Sequence, residues 1–407
     1  MCKMFKKAFS RVSEYGFKES IEMAWYKFAL CLPLKNTVVL ECESDMDDNP
    51  RAFYEYLVKQ QYNKKYKLVW IVKDVEFCKK NHKRKTVVFV SRSEKKLFDR
   101  LRFKYYLATA RWFVFSHPYW FRKRRDDQTV IHIGHGTPIK QASKTFDATC
   151  IDLLAVPTEN VRLWYTRFWR CEENKTFICG QPRNDLFFVG AQKRDEILKK
   201  MIPGYSSEKI IMCMPTYRKS ATQSDSDVTD PYSLGVVENE DELIKLDKAL
   251  SDIGARLLVK IHPLQQIDGM KMPKLENVHY IQNKDLLYKN ILLYELLGCC
   301  DALVTDVSSV VFDYLLIDRP VAFFMKHFDD YTRGYLLSDP LSYMPGMKMY
   351  SCDDFIAFIS AVKNGDDGYS EERQEVSSYV NGADAKEHCF SQDLCNYIFN
   401  SRKENKQ

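Results

Sequence analysis

The sequence has no run of apolar residues approaching the roughly 18 that a membrane-spanning helix requires, and "FALCLPL", Phe28 to Leu34, is far too short. The first thirty residues lack the continuous apolar segment of a secretion signal, so a cytosolic protein is expected. The 13 cysteines include no C-x-x-C pair and keep no regular spacing. Most stand in apolar strings such as "IIMCMP" and "LLGCC", which read as reduced core thiols rather than a disulfide frame or a metal site. No helix-turn-helix, zinc-finger or RNA-binding signature is present, which sets nucleic acid aside as a partner. There is also no internal repeat at solenoid spacing.

What is present suits a globular protein. A chain of 407 residues, 45% hydrophobic and 14% aromatic, is long enough for two ordinary domains with a core each. The net charge of +6 is placed unevenly, with basic clusters at "KKNHKRK" (Lys79 to Lys85) and "FRKRR" (Phe121 to Arg125). Such clusters are solvated faces or landing surfaces for an anionic lipid or polymer, where each cation contributes on the order of 1 kcal/mol. Near the start, Phe5, Phe9, Val12, Ile21, Met23 and Phe28 alternate with Lys3, Lys6, Lys7, Arg11, Lys18 and Lys27. This pattern predicts an amphipathic helix, either lying on a membrane surface or packed on the first domain.

From Asn36 onward, short β-rich strings alternate with helical ones: "NTVVLE", "YKLVWIV", "KTVVFV", "RWFVFS", "TVIHIG", "DLLAVP" and "TFICG". That alternation predicts an α/β fold, a parallel sheet covered by helices. After a polar, helix-rich crossing at about Phe188 to Lys209, it restarts with "KIIMCMP", "RLLVKIHP", "NVHYIQ", "DALVTD" and "PVAFF". The expected division is an N-terminal helical segment over 1–35, a Rossmann-like domain over 36–200, a second over 201–350 and a helical tail over 351–407. "KSATQSDSDVTD" (Lys219 to Asp230) holds nothing that can bury itself and reads as a mobile loop.

In parallel α/β domains, ligands bind beyond the carboxyl ends of the strands. His135 follows "TVIHI" between two glycines, presented in a loop. "PTYR", Pro215 to Arg218, follows "IIMCM", and His262 follows "RLLVKI". In "LVTDVSSVVFDYLL", Ser308 and Ser309 begin a helix whose N–H groups suit a phosphate or diphosphate. Asp313, four residues after Ser309, shares its helical face and can accept hydrogen bonds from ribose hydroxyls; the plainer readings are an N-cap and a surface charge. Arg183 in "GQPRND" can clamp a phosphate, and Lys140, Arg218 and Lys260 add cations near the same edge. Together these residues describe a cleft for an anionic, phosphate-bearing substrate. "SDSD" at Ser224 to Asp227 only superficially resembles an acidic metal motif, and neither a metal nor a cofactor is expected.

An ordered series of strings, "DNPRAFYEYL", "HGTPIK", "GQPRND", "PTYR", "KIHP", "TDVSSVVFDY" with "RPVAFF", then "YTRGY" and "PGMKM", resembles the CDP-glycerol glycerophosphotransferase family. These polyol-phosphate transferases build teichoic acids and related capsule polymers. Two positions depart from the family pattern: Gly134 stands where an aromatic residue usually precedes H-G-T, and Val307 where a tyrosine usually precedes the paired serines. The larger polymerases of the family carry an additional N-terminal region, and this chain holds little beyond the catalytic module.

The resemblance implies a GT-B-like architecture, two Rossmann-like domains facing a central cleft, the first binding the acceptor and the second the nucleotide. It implies His135 as general base and His262 as a ligand of the donor diphosphate. Gly136, Thr137, Pro138 and Lys140 of the first motif, with Arg183, Pro215, Thr216, Arg218, Lys260, Ser308, Ser309 and Asp313, would line the substrate site. The implied partners are a CDP-glycerol or CDP-ribitol donor and a lipid-linked or polymeric anionic acceptor, handled on the inner face of the cell membrane. A GT-B glycosyltransferase or nucleotide-sugar epimerase acting on an NDP-sugar is the alternative, because it shares the two-domain logic and the diphosphate site.

Overall fold

The computed structural model describes residues 17–82, 86–93, 95–117, 125–142, 148–216, 232–261, 273–326, 328–329 and 334–399. Every string predicted above to be a strand is one. In the first unit these are β1 (Lys35–Glu41), β2 (Lys67–Ile71), β3 (Val87–Val90), β4 (Ala110–Phe115), β5 (Thr129–His132), β6 (Leu153–Val156) and β7 (Thr176–Ile178). They pair in parallel in the order β3-β2-β1-β4-β5-β6-β7. Central strands such as β1 and β4 are buried on both faces because helices cover both, and so they read as continuous Val, Leu, Phe and Trp rather than as alternation.

The second unit repeats the plan with β8 (Lys209–Met214), β9 (Ala255–Lys260), β10 (Val278–Ile281), β11 (Ala302–Thr305), β12 (Val321–Phe324) and β13 (Met347–Met349). The order is β10-β9-β8-β11-β12-β13, again all parallel. Both sheets therefore reverse direction next to their first strand, between β1 and β4 and between β8 and β11. Those reversals are where a doubly wound sheet opens a crevice.

The seam between the units differs from the predicted one at residue 200. Helices Asp185–Gln192 and Arg194–Met201 lie on the second unit, where Phe187, Ile197 and Leu198 share a core with Leu296 and Leu297. Helix Asp185–Gln192 crosses Leu293–Cys299 closely enough that a Cβ on Gly190 would stand 1.9 Å from the Glu295 carbonyl oxygen, and one on Gly298 2.2 Å from that of Phe187. The seam thus falls near Gly180–Asn184.

The C-terminal helices also divide between the units. Cys352–Asn364 packs on the second sheet through Phe355, Phe358 and Ile359. Phe390–Phe399 returns to the first, where Leu394, Cys395 and Ile398 enter its core and Tyr397 stacks on Phe177 at 4.0 Å.

At the other end, the helix Phe17–Ala29 packs on helix Leu97–Thr109. Trp25 Nε1 donates to the Leu101 carbonyl at 2.9 Å, and Arg100 pairs with the buried Glu22 at 2.6 Å. Of the two readings of the N-terminal segment, packing on the first domain holds for these residues; Lys3 to Arg11 lie outside the described residues. No described helix is long and apolar enough to cross a membrane.

Candidate active site

His135 stands in the loop that leaves β5, between Gly134 at φ +66° and Gly136 at φ +128°, conformations that glycine reaches without steric cost. The positive φ explains why this chain carries glycine at 134. At Gly136 a side chain is also excluded by contact, since a Cβ would lie 2.4 Å from Ser309 Oγ of the second unit. Asn49 braces the loop from behind. Its Nδ2 donates to the carbonyls of Ile133 and Gly134 at 3.2 and 2.9 Å, and its Oδ1 accepts from the Arg183 amide at 3.0 Å.

The imidazole of His135 has a defined tautomer. Nδ1 lies 3.0 Å from the Ser116 carbonyl oxygen. A carbonyl only accepts, so Nδ1 carries the proton and Nε2 remains the basic nitrogen. The ring stacks on His117, with centroids 4.7 Å apart and planes 16° from parallel, and meets Trp169 edge-on at 5.4 Å. Burial first, then His117, lowers its pKa to about 3 against the opposing pull of Asp48, so the ring is neutral at any physiological pH.

Arg183 bridges the two units. One guanidinium nitrogen donates to Asp48 Oδ1 and the other to Asp313 Oδ2, both at 2.6 Å, and the group lies over the Tyr294 ring at 4.6 Å. Burial by itself would raise the pKa of Asp48; Arg183 is the strongest of the groups that outweigh it, and the carboxyl is held below the usual range. The fork expected to clamp a phosphate is therefore occupied by two carboxylates.

Asp313 shares Ser309's helix as predicted, but it faces inward and is fully buried. It accepts from Gln181, Arg183, Asn184 and the Tyr294 hydroxyl. With both oxygens occupied by protein donors, it fixes the inter-domain geometry and does not reach toward a ribose.

On the second unit, the chain leaving β8 is tied down by Asp306, which accepts from the amide and the hydroxyl of Thr216 at 2.8 and 2.6 Å. Ser309 precedes the short helix Val310–Tyr314 without making a side-chain cap, so its hydroxyl is available to the cleft. Lys260, at the end of β9, is buried and donates to the Ile261 carbonyl at 2.9 Å. Burial lowers its pKa to about 8, against the attraction of Asp47 and Asp285.

A cleft of about 840 Å³ opens at these strand ends. It brings together His135, Gly136, Pro138, Lys140, Arg183, Pro215, Thr216, Lys260, Ser308 and Ser309. Thr137 points away, buried against the Tyr165 hydroxyl at 3.1 Å. His262, Arg218 and the Ser224 to Asp227 string lie outside the described residues. Among the described residues, no group of three or more His, Cys, Asp or Glu side chains is arranged to hold a metal ion.

Sequence reasoning missed Glu43, Asp47 and Asp48 after β1, Lys73 after β2, His117 after β4, and Tyr294. The strand-end rule that found His135 would have found His117 had it been applied to "RWFVFS" as well.

Comparison with known proteins identifies the family and the fold. Residues 24–400 match the family model described as CDP-glycerol:poly(glycerophosphate) glycerophosphotransferase. A teichoic acid glycerol-phosphate transferase of Staphylococcus aureus is 26% identical over 92% of this chain and 95% of its own length. A teichoic acid poly(ribitol-phosphate) polymerase of Bacillus spizizenii is 27% identical over 82% of this chain, which spans only about half, 52%, of that relative. The wall teichoic acid polymerase TagF, in a variant soaked with CDPG, superposes with a TM-score of 0.76 at 22% identity, covering 100% of both chains. The two facing Rossmann-like sheets are thus a GT-B-like fold shared with TagF, and the chain belongs to the CDP-glycerol:poly(glycerophosphate) glycerophosphotransferase family.

Proposed function

We propose that this protein transfers glycerol phosphate, or a related polyol phosphate such as ribitol phosphate, from a CDP-linked donor to a hydroxyl of a lipid-linked or polymeric acceptor. CMP is released, and a teichoic-acid-like or capsular polymer grows by one unit. The observation that carries this reading is the tautomer of His135, which leaves a basic nitrogen on a cleft wall opposite Lys260 and the Ser308–Ser309 helix start.

In the reaction, the acceptor hydroxyl gives its proton to His135 Nε2 while its oxygen forms a bond to the distal phosphorus. The bond from that phosphorus to the bridging oxygen breaks, and the electron pair leaves with the phosphate of CMP. A base taking the proton and cations stabilising the departing charge are the two requirements of such a transfer. The low pKa of His135 keeps it unprotonated before substrate arrives, and phosphate charges brought close to it favour the imidazolium as the proton moves. Lys260, Ser308 and Ser309 would meet the diphosphate together with His262, and Lys140 and Arg218 would add charge at the edge. Arg183 holds the two walls in register.

The test is CMP release from CDP-glycerol and CDP-ribitol in parallel, with a lipid-linked polyol-phosphate or disaccharide acceptor. Acceptor-dependent CMP from one donor is expected, with His135→Ala slower by roughly 10²-fold or more and donor binding retained. Full turnover by that variant would refute the base assignment.

Basic clusters at Lys79 to Lys85 and Phe121 to Arg125, with relatives that work on teichoic acid, support peripheral attachment to the inner face of the cell membrane. Co-flotation with anionic liposomes at low salt, lost at high salt, is expected. Failure to float at low salt would count against it.

A further inference from the structure

His117 is the one described histidine besides His135 whose side chain lines the cleft, and no step of the reaction above uses it. It follows β4 as His135 follows β5, and Ser116 orients both rings. The Ser116 carbonyl oxygen receives the proton on His135 Nδ1 at 3.0 Å, while its hydroxyl lies 2.8 Å from His117 Nδ1. The backbone N–H of Glu43 also points at His117 Nδ1, at 3.4 Å. A backbone N–H only donates, so this nitrogen is an acceptor, the Ser116 hydroxyl donates to it as well, and the proton of the neutral ring resides on Nε2. The two stacked imidazoles are thereby held in opposite tautomers, one with a bare Nε2 and the other with Nε2–H.

The charged groups around His117 are compatible with that state. Asp48 Oδ2 stands 3.8 Å from Nδ1, too far for a hydrogen bond, and the other oxygen of that carboxylate is occupied by Arg183. Burial is the largest influence and lowers the pKa of the ring, as Arg183 does more weakly; Asp48 first, then Glu43 and Asp47, pull the other way without overcoming it.

We infer that His117 is a second histidine of the reaction centre, donating Nε2–H to a non-bridging oxygen of the phosphoryl group under attack while His135 takes the hydroxyl proton. The spacing supports the division of labour. A hydroxyl poised for attack stands about 3–3.5 Å from phosphorus, so rings stacked 4.7 Å apart can address the hydroxyl and a phosphoryl oxygen, one each. His117 gives up no proton. Its hydrogen bond strengthens as charge gathers on the phosphoryl oxygens, which is how a fixed donor accelerates a transfer. This inference rests on the transfer reaction proposed above.

Two amides test it, because Asn carries its polar group near the position of Nδ1 and Gln near that of Nε2. His117→Asn keeps an acceptor for the Glu43 N–H but lacks the distal donor, and is expected to lower kcat for acceptor-dependent CMP release by roughly 10²-fold, with a smaller change in KM for the donor. His117→Gln restores a donor at the distal position and is expected to recover about tenfold of that loss. Equal losses in the two variants would mean that His117 only supports the His135 ring by stacking, and a His117→Asn enzyme within twofold of wild type would remove it from the reaction.

His135→Ala, measured alongside, separates the two claims. If that variant alone is fully active, the base assignment fails while the His117 result still stands. Nitrogen NMR of imidazole-labelled protein reads the tautomers without any substrate. Opposite tautomers are expected, and identical ones would overturn the pairing whatever donor the enzyme accepts.

Discussion

A donor-binding role for Lys260 would make one buried charge set two pH dependences of opposite sign. Its folded pKa is lowered to about 8 by burial, against about 10.4 in an unfolded chain. Between these values the unfolded state binds more protons, so stability climbs as pH rises through that window. A phosphate-binding role requires the ammonium, so kcat/KM for the donor should fall as pH rises through about 8 while the melting temperature does not. Lys260→Arg should carry the activity limb to higher pH, because a guanidinium stays charged. A flat kcat/KM across that range would exclude Lys260 from donor binding. Residue by residue, legibility in the sequence tracked how local the cause was. His135 was readable because its glycines and its strand end are neighbours in the chain. The roles of Arg183 and Asp313 were not, because they depend on Asp48 and Tyr294, 135 residues before Arg183 and 19 before Asp313 respectively. Spacing placed Asp313 on Ser309's face of the helix without saying which face is inward.

Elements were legible where periodicity or strand composition made them so, and their partners were not. The tail over 351–407 reads as helical, but only the structure shows its last helix, Phe390–Phe399, crossing back to the first sheet. Strand β13 escaped notice because three residues, Met-Lys-Met, are too few to carry a pattern, and pairing with β12 defines it. The return of the last helix has a pH-sensitive element at its start. His388 lies 2.9 Å from Asp393 Oδ2 and 3.2 Å from Asp384 Oδ2, one carboxylate at each ring nitrogen. Asp393 first and Asp384 second raise its pKa. A raised folded pKa gives stabilisation that is fully present below the unfolded value, about 6.5, and is lost as pH climbs through the folded one. The group is 44% exposed, so solvent screening keeps the effect small. His388→Ala should lower the melting temperature by no more than about 2 °C near pH 5.5 and by nothing measurable near pH 9. An equal loss at both pH values would point to packing instead of charge.

The whole molecule is two repeats of one topology joined where their strand ends converge, and Arg183 is the tie across that junction. Asp48 belongs to the first unit and Asp313 to the second, with side-chain exposures of 12% and 0%. Two carboxylates removed from water to that extent are tolerable only with a cation between them, and breaking a buried pair from one side typically costs about 3–5 kcal/mol. Lysine cannot replace the arginine, since a single ammonium lacks the fork that reaches two acids at once. Arg183→Lys should therefore destabilise the protein by an amount in that range and reduce transfer, because Gly136 and Ser309 touch across the same junction and would lose their register. Adding Asp313→Asn removes the uncompensated charge. The double variant should then be more stable than Arg183→Lys alone, with a coupling on the order of 1–3 kcal/mol in a double-mutant cycle, but it should not regain transfer. The cycle is measured by chemical denaturation, with tryptophan fluorescence reporting on the first unit through Trp70, Trp112 and Trp169, and circular dichroism on both. If Arg183→Lys unfolds at the wild-type midpoint, the large shared core around Leu296, Phe312 and Trp164 holds the units together by itself, and the arginine is kept for the cleft alone.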